Sequence, residues 1–363
     1  MKALLAAAAI AIAGALALVA SIVAADRTTA GSNTVTTTID HGSMPGMTSA
    51  AGEPARSVSY AGTSVDNAEA LAKAHRPYPA ALPPVPAGNV AKVHMVLKDV
   101  TIEIAPGIKY AAWGFQGGVP GPIVHVRQGQ VVQMTLTNGG AIPHSIDFHA
   151  ARIAPNLAFV DVDPGKSFTF RFTANDPGVF MYHCGTKPVL AHIANGMYGA
   201  IVVDPKTPLA PAAKSYVLVA SEWYLNAPGT GKPAQLDLNK ARSATPDWAT
   251  FNGYARQYVD HPLTADPGDL VRFYVVDAGP SLTTAFHVVG TILDKVYPDG
   301  DMTPGHELTG VQTFDVPAGG GAVFEVKIGQ AGMYPFVSHA FASVDMGQVG
   351  ILKVGNPKGS ASH

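Results

Sequence analysis

The strongest constraint on what this chain can fold into is a pattern written into it twice. Residues 162–183, VDPGKSFTFRFTANDPGVFMYH, are echoed by FDVPAGGGAVFEVKIGQAGMYPFVSH at 314–339, an offset of about 150 residues. NGMYGAIVV at 195–203 has a weaker counterpart in DMGQVGILKV at 345–354, and Phe148-His149 has one in Phe286-His287. In both copies apolar residues recur at every second position: Val132, Met134 and Leu136; Phe168, Phe170 and Phe172; Phe324, Val326 and Ile328. Period two with one apolar face is the mark of strands packed on one side. The chain has 363 residues, with 38 glycines and 29 prolines to make turns. Two copies of one strand-rich unit in such a chain predict an all-β protein of two tandem sandwich domains.

The domains are expected at 89–205 and 206–356, with a short tail at 357–363. Ahead of them, residues 26–88 are rich in Ala, Thr, Ser, Gly and Pro, and read as a flexible linker that stiffens from Pro77 to Pro86. A short helix is expected there from Asp66 to His75, with Asp66 as cap and Glu69 three residues on. Residues 3–25 are uninterruptedly small or apolar, between Lys2 and Asp26-Arg27. They read as a signal peptide ending at Val23-Ala24-Ala25, or as an uncleaved membrane anchor. Both readings place the body of the protein outside the cytoplasm, in the periplasm or tethered to the membrane. The net charge of −2, with only 14% charged residues and no Lys/Arg run, excludes nucleic acid as a natural partner.

A single cysteine, Cys184, rules out an internal disulfide and turns attention to its neighbours. Cys184, His192 and Met197 follow a Cys-x7-His-x4-Met spacing, and His144 lies upstream on another strand. Two imidazoles, a thiolate and a weak axial thioether make a copper electron-transfer site. Strand geometry makes a second prediction. Successive side chains face opposite ways, so His183 and Cys184 cannot share one ion. His144 and His149 are an odd number apart, so they separate too. The sorting puts His144 with Cys184, and His149 with His183. Two outward histidines lack a third ligand, for which the second copy offers His339 and His287. The remaining histidines, from His75 to His306, have no such placement and read as surface or hydrogen-bonded residues, as do His41 and His363 at the two ends. His41, Met44 and Met47 suggest either a transient copper site or incidental residues of the linker.

The blocks PHSIDFHA, YHCGTKPVLAHIANGMYGAIVVDP, FHVVGTILDKVY and VSHAFASVDMGQVGILKV resemble those of copper-containing nitrite reductases, over residues 92–355. The resemblance implies two cupredoxin-like Greek-key sandwiches. It implies type 1 copper on His144, Cys184, His192 and Met197. It implies type 2 copper on His149, His183 and, from a neighbouring subunit, His339. Asp147 and His287 would be the acid/base pair, in a homotrimer that takes electrons from a small cupredoxin or cytochrome c and reduces nitrite to nitric oxide. One departure is the loop after His149, AARIAPNLAFVDVDPG, where the family has a Gly-rich segment; substrate access is expected to differ there. Three rivals use the same residues. A laccase-like oxidase needs His-x-His pairs, and the chain has none. A non-catalytic electron carrier or copper-handling protein leaves His149, His183 and His339 without a role. A two-copper oxidoreductase acting on another small substrate keeps both metals.

Overall fold

The strand Val131–Asn138, VVQMTLTN, alternates between half-buried and buried along its whole length. Val132, Met134 and Leu136 face inward while Gln133, Thr135 and Thr137 stay at the surface, as a one-sided strand requires. It runs parallel to Val90–Ala105 and antiparallel to Ser167–Thr173, and Ile108–Phe115 pairs with the far side of Val90–Ala105. The facing sheet is built from Val124–Arg127, Tyr198–Asp204, Gly178–His183 and Asp147–Phe148, in that order. Phe148, Tyr182, Ile201 and Val203 from this sheet meet Met95, Leu136 and Phe172 from the other in one apolar core. These elements belong to a computed structural model that describes residues 58–60, 63–65, 67–227 and 232–357.

A second sandwich repeats the first strand by strand. Leu263–Ala265 runs parallel to Val349–Val354 as Val124–Arg127 does to Tyr198–Asp204. Gly332–Ser338 then pairs antiparallel with Val349–Val354, as Gly178–His183 pairs with Tyr198–Asp204. Its other sheet runs Trp248–Phe251, Lys214–Trp223, Leu270–Asp277 and Gly321–Lys327, extended by Leu293–Tyr297 and Leu308–Val311. The architecture is all-β, of two cupredoxin-like sandwiches.

The two sandwiches meet sheet to sheet. Val179, Met181, Tyr198, Ala200 and Val202 of the first pack on Val217, Val219, Tyr274, Val276 and Val323 of the second. The two inner sheets are therefore covered on both faces, and their strands lose the alternation of the outer ones. Tyr198–Asp204 is buried at all but its last residue, and Leu270–Asp277 at all but its first. Double burial favours apolar residues on both faces, and the charge inside Leu270–Asp277, Arg272, is paired with Glu325.

The linker is more ordered at its end than its composition predicts. The helix spans Ala68–Ala74, with Asn67 at its N-cap in a left-handed conformation and without a side-chain cap bond. Asp66 lies outside the described residues, and Glu69 pairs instead with Lys73 one turn on, at 2.6 Å. The proline-rich stretch is docked. Leu82 N–H donates to the Ser215 carbonyl at 3.0 Å, and Val217 N–H to that of Ala80 at 2.7 Å. The Gln130 amide donates to the carbonyls of Pro86 and Gly88. Prolines give up donors but keep carbonyls, so such a strap is held by donors from the domains it crosses. The apolar segment 3–25, the trio His41, Met44 and Met47, and the chain beyond 357 lie outside the described residues. Among the described residues no helix is long and apolar enough to cross a membrane.

Candidate metal centre

The strand Gly178–His183 decides where the chemistry goes. Val179 and Met181 point into the layer between sandwiches, while Phe180, Tyr182 and Cys184 point into the first core. His183 is half-buried on the opposite side from Cys184, which is fully buried. Adjacent residues thus serve two places, by the alternation of an extended chain.

On the core side, Cys184 Sγ lies 3.2 Å from His192 Nδ1 and 3.9 Å from His144 Nδ1, and the two Nδ1 atoms are 3.1 Å apart. His192 rides on the short helix Val189–Ala194, and Met197 follows three residues after its end. Cys184 N–H donates to the Met197 carbonyl at 3.1 Å, which brings the buried thioether's backbone alongside the thiol. His144 is pinned from the other side by a two-bond bridge to Val162, with distances of 3.2 and 2.8 Å. Trp113 covers both imidazoles, its ring 5.3 Å from His144 and 4.9 Å from His192 between centroids. Burial first, and the His192 imidazole second, hold His144 down at about 4, against the pull of the Asp161 carboxylate. Burial lowers His192 as well. Both rings are therefore neutral near pH 7, the state in which imidazole is a ligand.

On the other side, His149 Nε2 and His183 Nε2 face each other at 3.0 Å, with their rings nearly perpendicular. His183 Nδ1 sits 2.9 Å from the Cys184 carbonyl, and Gly319 of the second sandwich lies beside the His149 ring, where an added Cβ would sit 3.7 Å from Cε1. With the His183 Nδ1–H committed to that carbonyl, its Nε2 is left as a lone pair facing the His149 ring. A lone pair set against a second imidazole nitrogen suits a cation between them. Asp147 is the cross-strand partner of His183. Loss of water and the neighbouring His183 hold His149 below the usual histidine value, and the Asp147 charge works against them.

The second sandwich carries a matching pair. Phe148 lies opposite Tyr182 and Phe286 opposite Ser338, so His149 corresponds to His287 and His183 to His339. The His287 and His339 rings stack with centroids 5.0 Å apart, and His287 Nδ1 is hydrogen-bonded to the Gln312 carbonyl. Burial and the His287 ring lower His339. Cys184 corresponds to Ala340 and Asp147 to Ala285, so the second pair has neither thiol nor carboxylate beside it. Among the described residues, the one convergent group of three metal-type side chains within the chain is His144, Cys184 and His192. His339 does not join His149 and His183 within a single chain.

A family model described as Multicopper oxidase matches residues 97–208. A copper-containing nitrite reductase of Neisseria gonorrhoeae is 38% identical over 272 residues, 73% of this chain and 69% of that one. The chain belongs to the copper-containing nitrite reductase family. Among solved structures, a copper nitrite reductase from Nitrosomonas europaea superposes with a TM-score of 0.68 at 34% identity, covering 74% of this chain and 94% of that one. A copper-containing nitrite reductase from Thermus scotoductus superposes with a TM-score of 0.66 at 31% identity, covering 73% and 62%.

The copper of copper-containing nitrite reductases fits the residues present. A thiol and two Nδ1 atoms converge within 4.8 Å of one another, a donor set that one soft cation engages all at once. The remaining histidines are occupied elsewhere. His75 stacks on Tyr254 and His94 meets the Thr137 hydroxyl. His125 contacts the Pro83 carbonyl and Asp204, His261 the Ala72 carbonyl, and His306 Asp301. His41 and His363 lie outside the described residues.

Sequence reasoning missed Trp113, Ser145, Asp161, Thr186 and Gly319. Only Ser145 carried a signal, since it sits between the histidines of HSIDFH. The departure loop after His149 is anchored by Arg152, which forks onto Asp176 with two bonds of 2.7 Å. Its far end reaches the Cys184 cluster through Asp161.

Proposed function

We propose that this protein reduces nitrite to nitric oxide, NO2− + e− + 2H+ → NO + H2O. His144, Cys184, His192 and Met197 would hold a type 1 copper that takes up the electron. His149, His183 and the partner subunit's His339 would hold a type 2 copper beside which nitrite binds. Bound copper supplies a one-electron relay at the first site and a Lewis acid for the anion at the second. The single observation that carries the reading is the adjacency of Cys184 and His183 on opposite faces of one strand. One peptide unit joins the residue of the first cluster to that of the second.

The chain's own groups then do the rest. Three imidazole ligands with no fourth protein ligand would leave room for a small anion. Asp147, across the ladder from His183, orients the bound anion and holds one of the two protons. The partner's His287 supplies the other, and its Nδ1 bond to a backbone carbonyl keeps the ring aimed. The family resemblance implies a homotrimer with one such site at each interface, where the partner subunit's His339 would meet His149 and His183. A small cupredoxin or cytochrome c donates the electron. The protein is exported, and residues 3–25 act as its signal or tether.

Electron paramagnetic resonance on copper-loaded protein, with and without nitrite, tests this directly. Two copper signals per chain are expected, with nitrite moving only the one lacking a visible band, and reduced protein should release nitric oxide. Cys184→Ala should lose the visible thiolate band while the second signal persists. A single signal indifferent to nitrite would leave an electron carrier and remove the catalytic roles.

A further inference from the structure

Four side chains run in a line from solvent to the Cys184 sulfur. The exposed Asp161 carboxylate accepts from the Thr186 hydroxyl at 2.6 Å, a length typical of a charge-assisted bond. Thr186 Oγ1 lies 3.2 Å from the Ser145 hydroxyl oxygen, which also accepts from Gly185 N–H at 3.0 Å. Ser145 N–H donates to Cys184 Sγ at 3.4 Å, and the Ser145 hydroxyl oxygen lies 3.9 Å from the same sulfur. Ser145 is fully buried and Thr186 nearly so. The outer end is fixed in place, since Val162, next to Asp161, forms the two-bond bridge to His144.

Each hydroxyl has one proton, and an ionised carboxylate only accepts. Thr186 therefore spends its one proton on Asp161 at 2.6 Å rather than on Ser145 at 3.2 Å. The Ser145 proton then has the Thr186 oxygen at 3.2 Å as a closer and stronger acceptor than the sulfur at 3.9 Å, so the firm donor to the sulfur is the Ser145 N–H. Without Asp161, the Thr186 proton is free to turn to Ser145, and the Ser145 proton swings to the sulfur. Hydrogen bonds to the sulfur draw electron density from it and tune the potential of a thiolate-bound copper.

We infer that Asp161, acting through Thr186 and Ser145, is a positioning residue that limits hydrogen bonding to the Cys184 sulfur and so lowers the reduction potential of the metal held there. The inference rests on the reading of His144, Cys184, His192 and Met197 as a copper site. It gives the departure loop a role: the segment where this chain differs from its family carries a control on the electron-receiving centre. Lowering that potential makes the reduced site a stronger donor toward His183.

The test is potentiometric titration of the full-length, copper-loaded protein, followed by the visible thiolate-to-copper band. Asp161→Ala and Thr186→Val should each favour the reduced state by about tenfold, or about 59 mV for a one-electron couple, and should shift the band. Thr186→Val keeps the Asp161 charge, so a shift there reports the hydroxyl chain itself. Adding Ser145→Ala to Asp161→Ala should cancel most of the rise, because no second proton remains to reach the sulfur. Unchanged potential and band in both single variants, with melting temperatures like the parent's, overturns the inference alone. A copper-loaded parent with no visible band overturns the copper-site reading, and the inference with it.

Discussion

At the scale of single residues, the chain spends its buried polar groups in two ways. Those around Cys184 and His149 are arranged for ligand chemistry, with the His144 and His192 rings held neutral by burial. Asp277 is different. It is almost wholly buried at the end of Leu270–Asp277, and its Oδ1 accepts from Gly279 N–H at 2.7 Å. Burial raises its carboxyl to about 7 from an ordinary 3.8, with Glu222 adding to the rise and Thr284 and Gly279 opposing it. The folded protein thus keeps a proton there that the unfolded chain has released. Stability from this group is full below the unfolded value and declines as pH rises through the window to about 7. Asp277→Asn, which keeps an acceptor for Gly279 but cannot ionise, should be more stable than the parent at pH 8 by a few kcal/mol and equal to it near pH 4. Urea unfolding at both pH values measures this; parallel curves for the two proteins would show that Asp277 is charged when folded.

At the scale of elements, Gly178–His183 and its neighbour Tyr198–Asp204 carry most of the functional geometry. They are registered Gly199 to Tyr182 and Tyr198 to His183. The Tyr182 ring lies flat over Gly199, where a Cβ would sit 2.3 Å from its Cζ and hydroxyl oxygen. Tyr182 in turn anchors its hydroxyl on the Pro122 carbonyl at 2.8 Å and packs on Phe115 and Phe148. Gly199→Ala should therefore cost roughly 1–3 kcal/mol by overpacking. It should also weaken copper retention, because the displaced ring shares the first core with Cys184 and belongs to the strand that carries His183. Metal content after dialysis and a urea midpoint check both parts; a variant matching the parent would mean the strand pair yields without moving its ligands. The sorting of His183 from Cys184 was legible beforehand, since it needs only the period of an extended chain. The same rule was a looser guide for His144 and His149. The segment joining them is an isolated bridge and a two-residue strand, so the bridge to Val162 also sets their directions.

At the scale of the whole molecule, duplication explains both what the chain holds and what it lacks. Each sandwich places a histidine pair at the same topological position, but only the first has Cys184 and Asp147 beside it. The proposed catalytic site of His149, His183 and His339 would have to be assembled between copies, since the three do not converge within one chain. Inactive His149→Ala and His339→Ala proteins, mixed and allowed to exchange subunits, should therefore recover part of the parent's nitrite turnover. Interfaces that pair an intact His149 with an intact His339 would account for it. No recovery in demonstrably exchanged mixtures would place the third ligand in the same chain as the other two.

The amino-acid sequence by itself determined the duplicated all-β architecture, the Cys184, His192 and Met197 spacing, and the separation of His183 from Cys184. Each of these depends on periodicity or on short separations along one strand or loop. Tertiary structure alone decided the rest. The docking of the proline-rich stretch depends on donors offered by both sandwiches, which linker composition cannot reveal. The burial of the inner strands on both faces depends on one sandwich lying against the other. Trp113 over the imidazoles, Gly319 behind His149, and the path from Asp161 to the Cys184 sulfur join residues far apart in sequence. Such contacts exist only once long-range strand pairing has closed the loops between them, and no local pattern in the chain records that closure.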